Sequence, residues 1–206
     1  MKIAVINYKA GNLRNVQKAV ELLGAASEII SKPEPLVSFD GIILPGVGSF
    51  RNGMESLNSV GLTNAIRHEA LEAKKPLLGI CLGMQLLAER GDEGGETEGL
   101  GLLPMQVRRF NINDCGERLP HMGWNSVKPD SESFLFNDVP NGADFYFAHS
   151  YHIESSEESL FAAMCDYCYP FAAAIEKENI FATQFHPEKS QRYGYAVLGN
   201  FLNYCR

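Results

Sequence analysis

Residues 79–85 read Gly-Ile-Cys-Leu-Gly-Met-Gln, and they join an apolar run at residues 76–80 to a helical pattern that begins at Leu82. A cysteine with a glycine two residues away on either side is typical of the sharp strand-to-helix turn known as a nucleophile elbow. Such a turn presents Cys81 in the crevice at the carboxyl ends of the strands, where α/β sheets bind ligands. The N-terminus of the following helix favours the thiolate, the reactive form of cysteine.

The segments around this turn predict an α/β fold. Strand candidates at residues 2–7, 27–30, 41–44 and 76–80 alternate with helical patterns at residues 13–23, 62–73 and 82–89. This alternation predicts βαβ units and a mostly parallel central sheet flanked by helices. Short strand candidates then follow one another at residues 105–109, 125–128, 144–147, 160–164, 172–175 and 180–184, before a final helix at residues 191–204. They predict antiparallel strand additions in the second half, and no linker divides the single domain expected over residues 1–206.

Composition excludes several classes of protein. The chain has 206 residues, 45% of them hydrophobic, and a formal net charge of −7, which disfavours disorder and binding to a nucleic-acid backbone. Five unevenly spaced cysteines do not resemble a secreted disulfide framework, so we expect a cytoplasmic protein. The Cys-x-x-Cys spacing at residues 165–168 lacks a second ligand pair, so we predict neither a metal nor a cofactor, and Cys115 has no predicted role. Residues 110–118 look like an extended hairpin, and residues 92–98 like a solubilising acidic loop.

A general base for the cysteine is predicted in residues 184–190, Gln-Phe-His-Pro-Glu-Lys-Ser, between the last strand and the last helix. His186 follows an apolar strand that would deliver it to the same sheet edge as Cys81. Glu188 lies close enough in sequence to hydrogen-bond the imidazole and fix its tautomer.

Oxyanion stabilisation is predicted at a second turn, residues 44–50, which read Leu-Pro-Gly-Val-Gly-Ser-Phe. The turn lacks the spacing and the lysine of a phosphate-binding loop, so we expect it to present backbone N–H groups to a developing oxyanion. The backbone N–H of Leu82, directly after the cysteine, would face the same charge.

These three motifs, in the chain order 45–50, 79–85 and 184–190, resemble the class I (triad) glutamine amidotransferases. Further motifs at residues 7–13, 120–125 and 146–151 resemble the glutaminase subunits of imidazole glycerol phosphate synthases, and the resemblance covers essentially the whole chain. It implies that Cys81 is the nucleophile, His186 the acid and base, and Glu188 the orienting carboxylate. The other implied roles are an oxyanion strand at Gly46, Val47 and Gly48, glutamine binding by Gln85, His149, Ser150 and Tyr151, and a partner interface at Asn12, Asn15, Trp124, Tyr146 and Lys189.

The resemblance also implies a reaction and a partner. Glutamine would be hydrolysed to glutamate and ammonia through a cysteine thioester. Ammonia would pass to a (β/α)8-barrel cyclase subunit, forming a heterodimer that makes imidazole glycerol phosphate and aminoimidazole carboxamide ribotide. Free ammonia is mostly protonated near neutral pH, and the chain shows no acceptor site of its own, so transfer to a docked synthase is expected.

Three other functions are compatible with the same residues. A paralogue could supply ammonia for amidino groups on bacterial surface sugars. The chain could instead be a stand-alone cysteine hydrolase, or a binding module that has kept only the fold.

Overall fold

The computed structural model describes residues 1–33, 36–113 and 115–206. Their α-helices are α1 (Leu13–Leu22), α2 (Phe50–Ser59), α3 (Leu62–Leu71), α4 (Leu82–Leu86) and α5 (Gln191–Tyr204). Their strands are β1 (Lys2–Ile6), β2 (Ala26–Ile30), β3 (Gly41–Gly46), β4 (Leu77–Cys81), β5 (Arg90–Gly91), β6 (Thr97–Glu98), β7 (Gln106–Arg109), β8 (His121–Pro129), β9 (Ala143–His149), β10 (Tyr151–Glu154), β11 (Phe161–Tyr167), β12 (Tyr169–Lys177) and β13 (Ile180–Thr183). No helix in the described ranges is both long and apolar enough to cross a membrane.

The central sheet has nine strands in the order β2-β1-β3-β4-β13-β12-β11-β8-β9. The first five are parallel neighbours, and the other four continue the sheet in antiparallel pairs. The predicted fold class is therefore confirmed. β3 and β4 are fully buried apolar strands, as expected where helices cover both faces of a parallel sheet. Their carboxyl ends lie side by side at the sheet's centre, with Gly46 registered against Cys81.

Three features depart from the predicted elements. Strands β10, β7, β5 and β6 form a separate four-stranded sheet, so that residues 92–96 of the predicted acidic loop connect β5 to β6 and its last two residues form β6. Helix α2 was not predicted. The hairpin predicted at residues 110–118 was wrong, because its described residues contain no strand; Asp114 lies outside the described residues.

A disulfide joins Cys115 to Cys168, whereas the sequence indicated no partner for either. Cys168 lies between β11 and β12, so the bond attaches residues 110–118 to the tip of that hairpin. Cys81, Cys165 and Cys205 are free thiols, and Cys81 and Cys165 are buried.

The turn between β4 and α4 is packed so closely that it admits only glycine at both flanking positions. A Cβ atom on Gly83 would overlap the carbonyl oxygen of Leu44 in the neighbouring strand. A Cβ on Gly79 would lie 2.8 Å from the carbonyl oxygen of Gly83, closer than real Cβ atoms approach. Helix α4 can thus start against the sheet only where these side chains are absent, which explains the glycines on either side of Cys81.

Replacing Gly83 by alanine should lower the free energy of unfolding by about 3 kcal/mol or more, because a backbone carbonyl cannot move aside for the new methyl group. Gly199 provides the matched control, since it lies within α5 and a Cβ there would meet its nearest atom at 3.9 Å. Gly199→Ala should leave stability unchanged or raise it by up to about 1 kcal/mol. Urea unfolding measures both, and equal stabilities for the two variants would contradict the packing argument.

Candidate active site

Cys81 lies at the last position of β4 and immediately precedes α4. Its backbone has φ 54° and ψ −109°, a conformation that non-glycine residues rarely adopt, and only 5% of the residue is exposed. Because Gly79 and Gly83 have no side chains, α4 can pack directly against the sheet. The chain must then turn sharply at Cys81, and this turn requires the unusual backbone conformation. The thiol thereby lies at the N-terminus of α4 and beside the end of β3, as the motif predicts.

His186 and Glu188 meet Cys81 at this edge. His186 follows β13, the strand paired in parallel with β4, and its side chain lies close enough to the Cys81 thiol for the two groups to interact. Its Nδ1 lies 2.9 Å from Oε1 of Glu188, and both side chains are at least 96% buried. The structure therefore brings the predicted nucleophile, base and orienting carboxylate into one continuous chain of contacts.

The backbone of His186 is held from the antiparallel part of the sheet. Its N–H donates to the carbonyl of Tyr146 in β9 at 2.9 Å, and its carbonyl accepts from the Ser190 hydroxyl at 2.7 Å. The same hydroxyl oxygen accepts from the Tyr146 N–H at 3.0 Å. Residues distant in sequence thus fix the position from which the imidazole reaches the thiol.

The electrostatics of His186 favour the imidazolium. Burial alone lowers its pKa, but the hydrogen bonds to Cys81 and Glu188, and the charges of these two groups, outweigh that effect and raise the pKa to about 9. A protonated imidazole beside a thiolate can both hold the nucleophile and supply a proton to a leaving group.

A small cavity of about 60 Å³ opens beside the thiol, and most of the predicted binding residues line it. The lining consists of Val47, Gly48, Cys81, Leu82, Gln85, Glu93, Ala148, His149, Ser150 and Tyr151. Gly46 lies behind this lining in register with Cys81, where a Cβ would overlap the Tyr8 hydroxyl. The cavity is therefore bounded by the predicted oxyanion strand, the start of α4 and the end of β9.

Glu93 is a site residue that the sequence reasoning missed, because it belongs to the loop interpreted as a solubilising surface. Its carboxylate accepts a 2.8 Å hydrogen bond from the N–H of Phe50, the first residue of α2, and also lines the cavity. Burial raises its pKa, the hydrogen bond from Phe50 lowers it, and the charge of Asp92 raises it further, so that the net shift is upward. A carboxylate 43 residues away in sequence from its donor leaves no signal in local patterns.

Gln184 is a second residue without a predicted role, although it lies in the motif that contains His186. It is fully buried, its Nε2 lies 3.8 Å from Sγ of Cys81, and its Oε1 accepts from Nε2 of Gln85 at 3.0 Å. Gln85 also donates to the carbonyl of Tyr151 at 3.0 Å. The two glutamines therefore connect the thiol to the cavity wall.

The residues predicted to face a partner are mostly exposed. Trp124 is 50% exposed and contacts the Tyr146 ring edge-on at a centroid distance of 6.1 Å. The Nζ of Lys189 lies 5.4 Å from the centroid of the Tyr146 ring. Asn12 and Asn15 are both exposed; Asn12 caps the N-terminus of α1, where its side chain accepts from the N–H of Asn15 in the first turn.

The sequence has clear relatives. The family model for class-I glutamine amidotransferases matches residues 4–204. The imidazole glycerol phosphate synthase subunit HisH 1 of Campylobacter jejuni (strain RM1221) is 46% identical over 200 residues, covering 97% of this chain and 98% of that protein. The imidazole glycerol phosphate synthase subunit HisH of Moorella thermoacetica is 47% identical over 199 residues, covering 97% of this chain and 93% of that protein.

Solved structures share the fold at lower identity. A crystal structure described as a glutamine amidotransferase superposes with a TM-score of 0.76 at 20% identity, covering 98% of each chain. The structure of PurLQS from Thermotoga maritima gives a TM-score of 0.76 at 20% identity, covering 100% of this chain and 99% of that one. At these identities the likeness concerns the fold.

Replacing Glu188 by glutamine should lower the pKa of His186, because the negative charge and its hydrogen bond raise that pKa in the native site. Nuclear magnetic resonance of the His186 imidazole should give a titration midpoint near 9 in the native protein and a lower midpoint in Glu188→Gln. Glu154→Gln is the control, since that exposed carboxylate lies beside His152 instead. An unchanged midpoint in Glu188→Gln would show that Glu188 does not hold the imidazolium.

Proposed function

The chain belongs to the class-I glutamine amidotransferases, and we propose from this premise that it is the glutaminase subunit of an imidazole glycerol phosphate synthase. The observation that carries the proposal is the buried contact chain from Cys81 through His186 to Glu188 beside a polar cavity. The names of relatives at 46% and 47% identity over nearly their full length support the particular synthase.

The first half of the proposed reaction forms a thioester. The Cys81 thiolate attacks the side-chain carbonyl carbon of glutamine, and the carbonyl oxygen takes up the negative charge. The imidazolium of His186 then gives its proton to the nitrogen, the carbon–nitrogen bond breaks, and ammonia departs. A raised pKa suits this step, because His186 must carry a proton when the leaving group needs one.

The oxyanion would be held by backbone donors on two sides. The N–H of Leu82 lies at the start of α4, directly after the nucleophile, and Val47 and Gly48 line the same cavity. Donors placed on rigid backbone need no reorganisation as the charge develops, which is where such groups contribute most.

The second half of the reaction restores the enzyme. The now neutral His186 takes a proton from water as the water oxygen attacks the thioester carbon, and the carbon–sulfur bond breaks to release glutamate. Glu188 keeps the Nδ1 proton directed toward itself throughout, so that Nε2 faces the reacting atoms.

Substrate recognition would depend on charge and on the cavity wall. Glu93 places a carboxylate at the cavity, where it fits the ammonium group of an amino acid. Gln85, His149, Ser150 and Tyr151 would surround the side-chain amide from the wall formed by α4 and the end of β9.

The proposed partner is a (β/α)8-barrel cyclase that receives ammonia. Trp124 is half exposed and contacts the partly buried Tyr146, whose carbonyl accepts from the His186 N–H, so this aromatic pair adjoins the site where ammonia would be released. An open groove of about 610 Å³ lies beside Trp124 and offers room for a docked chain. Lys189, Asn12 and Asn15 would belong to the same interface.

A paralogue that supplies ammonia for amidino groups on surface sugars would use the same chemistry. Complementation of a histidine auxotroph lacking its own glutaminase subunit distinguishes the two roles, and growth is expected here. A failure to complement, with glutaminase activity intact, would favour the paralogue.

Cys81→Ala should lower glutamine-dependent synthesis by at least about 1000-fold while the complex with the cyclase keeps its ammonia-dependent activity. Addition of the cyclase should also raise the glutaminase turnover of the native chain. Surviving glutaminase activity in Cys81→Ala would mean that the nucleophile is misassigned, and a native turnover that does not change when the cyclase is added would favour a stand-alone hydrolase.

Glu188→Gln should lose less activity than Cys81→Ala, because Glu188 orients the base and does not attack the substrate.

Glu93→Gln should raise KM for glutamine about tenfold with a small effect on kcat, because it removes a charged hydrogen bond to the substrate ammonium group. Glu96→Gln is the control in the same loop, since that side chain is 78% exposed and pairs with Arg90. Steady-state glutaminase kinetics in the complex measure both variants. Equal KM values for the two variants would show that Glu93 does not bind the substrate and that the loop only adds solubility.

A further inference from the structure

A pair of buried histidines outside the proposed catalytic contacts adjoins the cavity. His121 is the first residue of β8 and is registered directly opposite His149, the last residue of β9. The exposed fractions of the two residues are 4% and 6%, and the His121 Nδ1 lies 3.0 Å from the His149 Nε2. His149 lines the cavity, whereas no role for His121 follows from the proposed chemistry.

The hydrogen-bond partners of this pair fix the positions of the protons when both rings are neutral. The His149 Nδ1 lies 2.8 Å from the Tyr151 carbonyl oxygen, which can only accept, so Nδ1 carries the proton. The His149 Nε2 is then an acceptor, and the His121 Nδ1 must donate to it. Both rings are neutral in this arrangement, in line with burial lowering the pKa of His121 to about 4 and being the main cause that lowers the pKa of His149 to about 3.

The far end of the pair agrees with the same direction. The Asn125 Nδ2 lies 3.3 Å from the His121 Nε2, and an amide nitrogen only donates. The orientation of this amide is set by its oxygen, which accepts from the Ser126 N–H at 2.8 Å. The His121 ring is also stacked between Phe147 and Tyr167, at centroid distances of 4.8 and 4.0 Å. Packing and hydrogen bonding therefore both hold the ring in place.

The hydrogen bonds of the histidine pair continue through Gln85 and Gln184 to the thiol of Cys81. The Tyr151 carbonyl accepts from His149 and also from the Gln85 Nε2, and Gln85 is joined through Gln184 to Cys81. A change in the direction of the His149 ring would leave the Tyr151 carbonyl without one donor. The wall at residues 149–151 would then lose the anchor that orients Gln85.

We propose that His121 is a positioning residue for the glutamine-binding cavity: by donating from Nδ1 to His149, it fixes the Tyr151 carbonyl and thereby the Gln85 side chain beside Cys81. The inference rests on the proposed function, since it assigns a role within the same site. Its distinguishing feature is that it depends on a donor at one atom of His121 and not on the bulk of the ring.

The test compares His121→Asn with His121→Gln, because the amide nitrogen of asparagine takes the place of Nδ1 and that of glutamine takes the place of Nε2. The probe is 6-diazo-5-oxo-L-norleucine, a reactive glutamine analogue, and mass spectrometry follows its attachment to Cys81. His121→Gln should raise the half-saturating concentration of the probe about tenfold, and His121→Asn should stay within about threefold of the native chain. Alkylation by iodoacetamide, which needs no glutamine site, should be alike in all three.

His152→Gln supplies the matched control. His152 is 3% exposed and is bonded to the Ile153 carbonyl and the Tyr169 hydroxyl, away from the Gln85 contacts. It should label like the native chain, and thermal unfolding verifies that each variant is folded. Native labelling by His121→Gln, or equal weakening in His121→Asn and His121→Gln, would overturn the positioning role. Failure of the native chain to label at Cys81 would instead contradict the proposed function.

Nitrogen nuclear magnetic resonance of the native chain needs no variant. Near neutral pH both rings should be neutral with the proton on Nδ1. A proton on the Nε2 of either ring would overturn the inference, whatever the stability of the substituted chains.

Discussion

The close approach of helix α4 to strand β3 is the constraint on which the site depends. Gly83 lies against the Leu44 carbonyl with no room for a Cβ, so the chain must turn within the single residue Cys81. That residue takes a positive φ, and its thiol is left at the end of β4 and the start of α4. The glycines therefore determine the position of the nucleophile, and the cysteine provides its reactive sulfur atom.

The parallel sheet brings the remaining groups to the same edge. β3 and β13 flank β4, so the chain that leaves β3 forms the predicted oxyanion wall and the chain that leaves β13 delivers His186. The antiparallel extension then locks this arrangement, because β9 accepts the His186 N–H at Tyr146 and carries His149 to the cavity. The two halves of the sheet thus contribute different parts of one site.

The sequence was most informative where a local rule operates. Glycines around Cys81 predict a tight turn, and the apolar strands on either side predict the parallel sheet. Helix α2 escaped prediction because its stability depends on distant groups: Glu93 accepts from its first N–H, and Gly53 gives clearance for Leu82, while the segment itself is rich in weak helix formers. The Cys115–Cys168 bond and the contact of Gln184 with Cys81 likewise join positions far apart in sequence.

The proposed reaction requires that Cys81 forms a covalent bond with the side-chain carbonyl carbon of glutamine. A γ-glutamyl substrate whose leaving group departs faster than ammonia would make hydrolysis of the acyl-enzyme the slow step. Rapid mixing should then show a burst of one leaving group per chain, together with a glutamyl mass increase confined to the peptide that contains Cys81. Leaving-group release without a burst, or a glutamyl group attached to the buried Cys165 instead, would show that Cys81 is not the nucleophile.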